Sequence, residues 1–138
     1  MKYSKLNGYK YKLEEDVVVT LFVFFVKDIV VDHPFVTILE GKLTVKKGYC
    51  WDGASYITLD TKSSMKGSLA HDALYQLMRE GLLDREVWRK YADELLRDIC
   101  IEEGMWKWRA NLWYKAVRKG AYKSSLPRKN PRNKVIEI

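Results

Sequence analysis

The fold is decided by residues 65–80, which read MKGSLAHDALYQLMRE. Apolar side chains recur there at spacings of three and four residues, at Leu69, Ala70, Ala73, Leu74, Leu77 and Met78. This period predicts an amphipathic α-helix with one apolar face. At about 100° per residue, His71, Asp72 and Tyr75 lie on the opposite flank of that helix. They are candidates for lining a functional site, and the alternative is a partly exposed histidine beside a solvated aspartate.

Two more helices are predicted after this one. The first helix is expected to begin at Ser64 as its N-cap and to end at Glu80, because Gly81 is a natural stop. The second is expected to begin at Asp84 and to run to Gly104, and the third to cover about 105–119. Short links between them predict antiparallel neighbours.

The residues before the helices have strand patterns. Tyr11 and Leu13 alternate with charged residues, and the Val- and Phe-rich segment 17–31 fits one or two buried strands or a short buried helix. Residues 35–45 predict a β-hairpin that turns at Glu40-Gly41. We therefore expect an α+β domain over residues 1–120, in which an N-terminal antiparallel sheet of short strands is packed by three C-terminal helices.

Composition narrows the class of protein. An apolar content of 47% indicates a folded globular domain rather than a disordered chain. Cys50 and Cys100 lie far apart and match no zinc or disulfide spacing, so a reduced compartment is expected. The apolar run 17–26 follows three acidic residues and is too short to span a bilayer, so we expect no signal peptide and no transmembrane segment.

Positive charge is concentrated at the C-terminal end. The chain carries a net charge of +7, and residues 118–134 contain seven cations and no acid, so the rest of the chain is neutral. Residues 121–138 are expected to form a flexible basic tail that binds an anionic partner: nucleic acid, an anionic membrane or a virion component. The cations assigned to this binding are Lys123, Arg128, Lys129, Arg132 and Lys134.

His71 suits the role of general base. A neutral imidazole can deprotonate a water molecule when its other nitrogen donates to a carboxylate that fixes the tautomer. Asp93 on the second helix is the candidate for that carboxylate, and both residues are assigned as catalytic. Asp93 lies roughly 140° from the centre of its helix's apolar face, so a solvated carboxylate is the alternative.

Asp72 and Asp52 are candidate metal ligands. Asp72 is expected to point a different way from His71, and Asp52 belongs to the preceding loop, Trp51-Asp52-Gly53-Ala54-Ser55. Their oxygens suit Ca²⁺ or Mg²⁺, and the alternative is no cofactor, with the loop forming a tight turn. The residues expected to support the site are Tyr75, Trp51, Gly53 and Ser55.

The ordered motifs of the chain resemble a known family. They are Gly48–Ser55, His71–Tyr75, Ala92-Asp93 and Trp113–Arg118 with Gly120. This combination is similar to the phage and prophage family described as domain of unknown function 1353, over roughly residues 9–120. The resemblance implies a phage context, with the protein in the host cytoplasm or the virion, and it implies no established activity.

A second, local resemblance concerns the first helix. His71, Asp72 and Tyr75, together with Asp93, resemble the secreted and viral phospholipases A2, in which a His-Asp-x-x-Tyr helix works with a calcium loop and an aspartate of a second helix. Two functions therefore fit the sequence. One is a small metal-assisted hydrolase of an ester in a lipid or another envelope component. The other is a non-enzymatic virion or host-interaction protein, in which the same residues form a structural lock and the basic tail binds the partner.

Overall fold

The computed structural model describes residues 1–6, 11–21, 28–52 and 61–120. The chain divides into two compact units between Trp51 and Asp52. All the described strands belong to the first unit, and all the described helices belong to the second. This order confirms the α+β class and its sequence of strands followed by helices.

The described strands form two antiparallel sheets. One contains β1 (Tyr3–Lys5), β2 (Tyr11–Leu13) and β7 (Cys50–Trp51), in the order β1-β2-β7. The other contains β3 (Val17–Thr20), β4 (Val31–Asp32), β5 (Val36–Leu39) and β6 (Lys42–Val45), in the order β3-β6-β5-β4. The predicted N-terminal antiparallel strands are therefore confirmed, and within the described residues they divide between two sheets, because β2 pairs with β1 and β7 while β3 pairs with β6.

The predicted hairpin is confirmed, and its turn has a clear geometric cause. Strands β5 and β6 pair with Leu39 opposite Lys42, which leaves a two-residue loop. Both loop residues have positive φ, 51° at Glu40 and 74° at Gly41. Two positive φ values in a two-residue loop are the mark of a type I′ turn, whose twist matches that of the flanking strands.

The three predicted helices are α1 (Lys62–Arg79), α2 (Arg85–Glu102) and α3 (Lys107–Gly120). Helix α1 begins earlier than expected, because Thr61 is the N-cap and the Ser64 hydroxyl accepts a hydrogen bond from the Thr61 N–H at 2.9 Å. Asp84 is the N-cap of α2, as predicted, and it accepts from the Glu86 N–H at 2.9 Å. None of the described helices is both long and apolar enough to cross a membrane.

Helix α1 is buried around nearly its whole circumference between Ser64 and Arg79. The apolar stripe seen in the sequence is therefore only part of its buried surface, which also includes His71, Asp72 and Gln76. Helix α2 packs against both α1 and α3. Contact on two sides allows α2 to bury a polar residue that lies far from its apolar face.

Gly67 marks the closest approach of α1 and α2, and it gives a test of this packing. A Cβ at this position would lie 2.8 Å from Cys100 Sγ and 3.0 Å from the Leu96 carbonyl oxygen. Overpacking costs about 1–3 kcal/mol, against a gain of about 1 kcal/mol in helix propensity. We expect Gly67→Ala to lower the free energy of unfolding by up to about 2 kcal/mol in urea denaturation.

Cys100→Ala supplies the matched background for this measurement. It removes the sulfur that the new methyl group would meet, so Gly67→Ala should cost less in that background than in the wild-type chain. An equal cost in both backgrounds would contradict the proposed contact between the two helices.

Candidate active site between the three helices

The candidate site is centred on a contact between α1 and α2. His71 Nε2 lies 2.7 Å from Asp93 Oδ1. His71 is 2% exposed and Asp93 is 0% exposed. Both alternatives drawn from the sequence, a partly exposed histidine and a solvated Asp93, are therefore wrong. The structure brings together the two residues assigned as catalytic, although they lie 22 positions apart in the chain.

Tyr75 joins the same contact from the next turn of α1. Its hydroxyl donates a hydrogen bond of 2.7 Å to Asp93 Oδ1, the oxygen that also contacts His71. The rings of His71 and Tyr75 lie 4.3 Å apart between centroids, at an interplanar angle of 30°. Tyr75 therefore does more than fill space, because it binds the carboxylate and packs against the imidazole.

Arg118 completes the group from α3. Its Nη1 donates to Asp93 Oδ2 at 2.9 Å, so both carboxylate oxygens have a donor. The carbonyl oxygen of Arg118 in turn accepts a hydrogen bond from the Arg89 guanidinium of α2. Arg118 is not among the site residues predicted from the sequence, because it stands at the start of the basic stretch 118–134. The signal in the sequence was weak: Arg118 directly follows Val117, which is part of the apolar side of α3.

The protonation of the pair follows from its surroundings. Burial by itself lowers the pKa of His71, but the interactions with the Asp72 and Asp93 carboxylates outweigh it, and the pKa is raised above 6.5. Burial by itself raises the pKa of Asp93, but the hydrogen bonds from His71, Tyr75 and Arg118 outweigh it, and the pKa is lowered below 3.8. Asp93 is therefore an anion at neutral pH, and it holds the His71 proton on Nε2.

The assigned metal ligands lie partly within the described residues. The expectation that Asp72 points a different way from His71 is wrong, because Asp72 is buried beside the imidazole, with Oδ1 3.9 Å from His71 Nδ1. Asp52 is half-buried, and Gly53 and Ser55 lie outside the described residues. In the described ranges, no three His, Cys, Asp or Glu side chains are placed to hold a metal ion. The expectation of Ca²⁺ or Mg²⁺ stays a prediction.

Trp51 belongs to strand β7, in the unit formed by the strands. Its buried ring contacts the rings of Tyr3 and Tyr11, with centroid distances of 5.9 and 5.6 Å. These contacts give it a packing role within the three-stranded sheet. The basic residues assigned to polyanion binding, from Lys123 to Lys134, lie outside the described residues.

Comparison with known proteins identifies the family. The family described as "Protein of unknown function (DUF1353)" matches residues 28–117, which is more than half of the chain. The chain belongs to the DUF1353 family. The match covers His71, Tyr75 and Asp93 of this DUF1353 protein and ends one residue before Arg118. No curated protein and no solved structure matches it.

The Tyr75 hydroxyl offers a direct test of the network in this DUF1353 protein. Tyr75→Phe removes one donor from a buried carboxylate while leaving the ring in place. Hydrogen bonds to charged groups contribute about 1.5–3 kcal/mol, and we expect a loss of that size in the free energy of unfolding. The control is Tyr114→Phe, which removes a phenolic hydroxyl from a half-buried tyrosine of α3 outside this network. Equal losses in the two variants would show that the Tyr75 hydroxyl has no special role.

Proposed function

We propose that this protein is a small hydrolase in which His71 acts as a general base. The observation that supports this proposal is the 2.7 Å contact between His71 Nε2 and the buried Asp93 carboxylate. A carboxylate accepts hydrogen bonds and does not donate them, so it holds the neutral imidazole in the tautomer protonated at Nε2. The proton-accepting lone pair is then on Nδ1, which a general base requires.

The proposed reaction is the hydrolysis of an ester. Nδ1 removes a proton from a water molecule as the water oxygen forms a bond to the ester carbonyl carbon. The Asp93 anion stabilises the imidazolium that results. Nδ1 then returns the proton to the alkoxide as the ester C–O bond breaks, so the products are a carboxylic acid and an alcohol. Tyr75 and Arg118 hold the Asp93 carboxylate in place, and their role is to position it.

Asp72 and Asp52 are the residues that would hold a Ca²⁺ or Mg²⁺ ion. Such a cation would polarise the ester carbonyl and stabilise the negative charge that develops on its oxygen. Asp72 lies on the Nδ1 side of His71, the side from which the water must be deprotonated. The described residues provide no set of three ligands, so the reaction above is assigned to the side chains alone.

An ester of a lipid or of another envelope component is the proposed substrate class. This proposal is supported by the placement of the site residues, because His71, Asp72 and Tyr75 lie on one helix and Asp93 lies on the next. This arrangement resembles that of the phospholipases A2. We further propose that the protein acts in a phage context, in the host cytoplasm or the virion. This proposal is supported by the resemblance of the sequence motifs to those of a phage and prophage family.

The burial of the Asp93 carboxylate also supports a second candidate function. Asp93 is 0% exposed and accepts hydrogen bonds from α1 and α3, so it joins all three helices. A structural lock of this kind suits a non-enzymatic virion or host-interaction protein that binds an anionic partner through its basic tail. Rate measurements on a variant of His71 separate the two functions.

The assay for hydrolysis uses the full chain and a panel of ester substrates. The panel contains short-chain aryl esters, phosphatidylcholine and phosphatidylglycerol vesicles, and a phosphodiester as a substrate of another class. Each is tested with a chelator, with Ca²⁺ and with Mg²⁺. The proposal requires turnover of at least one carboxylic ester that depends on His71. Turnover that persists in the chelator would remove the cation from the proposal and leave the role of His71 intact.

A further inference from the structure

The outward face of α3, together with Trp106 just before the helix, combines large apolar side chains with cations. Trp106 is 72% exposed, Trp108 is 59% exposed and Leu112 is 53% exposed. Tryptophan and leucine at such exposure leave a large apolar area in water, which marks an interaction surface when the residues are contiguous. Trp106 and Trp108 are in contact at 6.2 Å between ring centroids, and Leu112 follows Trp108 by one helical turn.

The cations follow the same face toward the end of the helix. At about 100° per residue, the helix places four exposed side chains within one narrow stripe: Trp108, Leu112, Lys115 and Lys119. The opposite face carries Ala110, Trp113 and Val117, which are buried. Residues 105–120 contain five cations and no carboxylate. The stripe formed by Trp108, Leu112, Lys115 and Lys119 is therefore apolar at its start and basic at its end.

We propose that this face of α3 binds the surface of an anionic lipid bilayer. Tryptophan has an apolar ring and a polar N–H, so it is stable at the boundary between headgroups and acyl chains, and Leu112 can enter the same layer. Lys115 and Lys119 provide the charge that complements anionic headgroups. We define the bilayer-binding surface as Trp106, Trp108, Leu112, Lys115 and Lys119.

A bilayer fits this surface better than a nucleic acid does. Trp106 and Trp108 are tilted by 56° relative to each other, so their faces do not form a parallel platform for successive stacked bases. The acyl chains of a bilayer offer Leu112 an apolar layer to enter, and a nucleic acid offers no such layer. Membrane binding through this surface goes beyond the proposed hydrolysis and can be measured without any catalytic activity.

Vesicle binding by the full chain tests the proposal. We expect the wild-type protein to co-sediment with vesicles of phosphatidylcholine and phosphatidylglycerol, and to bind pure phosphatidylcholine vesicles much more weakly. Brominated lipids in those vesicles should quench the emission of Trp106 and Trp108, while Trp51, Trp88 and Trp113 are buried in the protein. The Trp106→Ala/Trp108→Ala variant should bind at least tenfold more weakly and lose the quenching.

A matched pair of charge variants separates the surface from the net charge of the chain. Lys115→Gln/Lys119→Gln should weaken binding roughly 25-fold, at about fivefold for each lysine removed near an anionic surface. Lys62→Gln/Lys90→Gln removes the same charge from exposed positions of α1 and α2, and it should have a much smaller effect.

Three results would overturn the proposal. They are equal vesicle binding by the wild-type and Trp106→Ala/Trp108→Ala proteins, equal effects of the two lysine pairs, and binding of single-stranded DNA but not of anionic vesicles. All altered side chains are exposed, and the thermal midpoint of each variant checks that it folds. Lys115→Gln/Lys119→Gln keeps both tryptophans, so it tests the surface even if the tryptophan variant is unstable.

Discussion

Replacement of His71 by asparagine is expected to reduce ester hydrolysis by about 10²–10⁴-fold or more, the usual cost of losing a general base. Asparagine retains a polar side chain but has no nitrogen that accepts a proton near neutral pH. The measurement is the rate of hydrolysis of whichever ester the wild-type chain turns over. Activity should not return in Ca²⁺ or Mg²⁺, because the lost group is the base.

The variant also disturbs a buried contact, so the control must match its effect on stability. Asp84→Ala removes the N-cap of α2 and should lower the free energy of unfolding by about 1 kcal/mol without touching the His71–Asp93 contact. If both variants lose stability but only His71→Asn loses activity, the loss of activity is caused by the missing base and not by the lower stability. A fully active His71→Asn protein would rule out the general base and favour the structural lock.

Asp93→Asn is expected to produce the largest loss of stability, about 3–5 kcal/mol in the free energy of unfolding. The substitution removes a buried negative charge that accepts from Tyr75 and Arg118 and contacts His71. An asparagine amide also places N–H donors where one oxygen of the carboxylate accepted hydrogen bonds. The measurement is urea denaturation of both proteins, in a chelator so that no cation contributes.

The pH dependence of this loss has a defined sign. The pKa of Asp93 is lowered below 3.8, so its stabilising effect is present above that pH and is lost as the pH falls through the lower value of the folded protein. The pKa of His71 is raised above 6.5, so its contribution is present below pH 6.5 and is lost as the pH rises through the folded value. The difference between wild type and Asp93→Asn should therefore be greatest between about pH 4 and 6.5.

A matched variant makes the pH experiment specific. Asp98→Asn neutralises an exposed carboxylate of the same helix that is paired with Arg97 at 3.0 Å. Exposed ion pairs contribute about 0–1 kcal/mol, so this variant should change stability little and should keep the pH profile of the wild-type protein. A difference between wild type and Asp93→Asn that is constant from acid to neutral pH would contradict the charged network.

Local chemistry made several elements predictable from the sequence. Asp84 begins α2 because its carboxylate accepts a hydrogen bond from the N–H of Glu86, two residues along the chain. Gly81 has a φ of 76° after α1, and Gly41 has a φ of 74° in the hairpin, conformations that glycine adopts at little cost. Each of these effects acts within a few residues, so a short pattern is enough to specify it.

The pairing of His71 with Asp93 was predictable only as a hypothesis. The sequence placed His71 and Tyr75 on one flank of α1, but the helix wheel of α2 directed Asp93 away from its apolar face. The structure resolves this conflict because α2 packs against both α1 and α3, so its polar flank is also buried. Burial of Asp93 is then stable because donors from two neighbouring helices reach both of its oxygens.

By itself, the sequence determined the α+β class, the order of strands and helices, the hairpin turn and the helix containing His71, because periodicity and turn chemistry are local. Only the tertiary structure decided that Asp93 is buried, that Arg118 belongs to the site and that the strands divide into two sheets. Asp93 and Arg118 lie 25 positions apart, and their contact depends on which helices become neighbours. That choice is made by packing over the whole helical unit, which no short stretch of residues encodes.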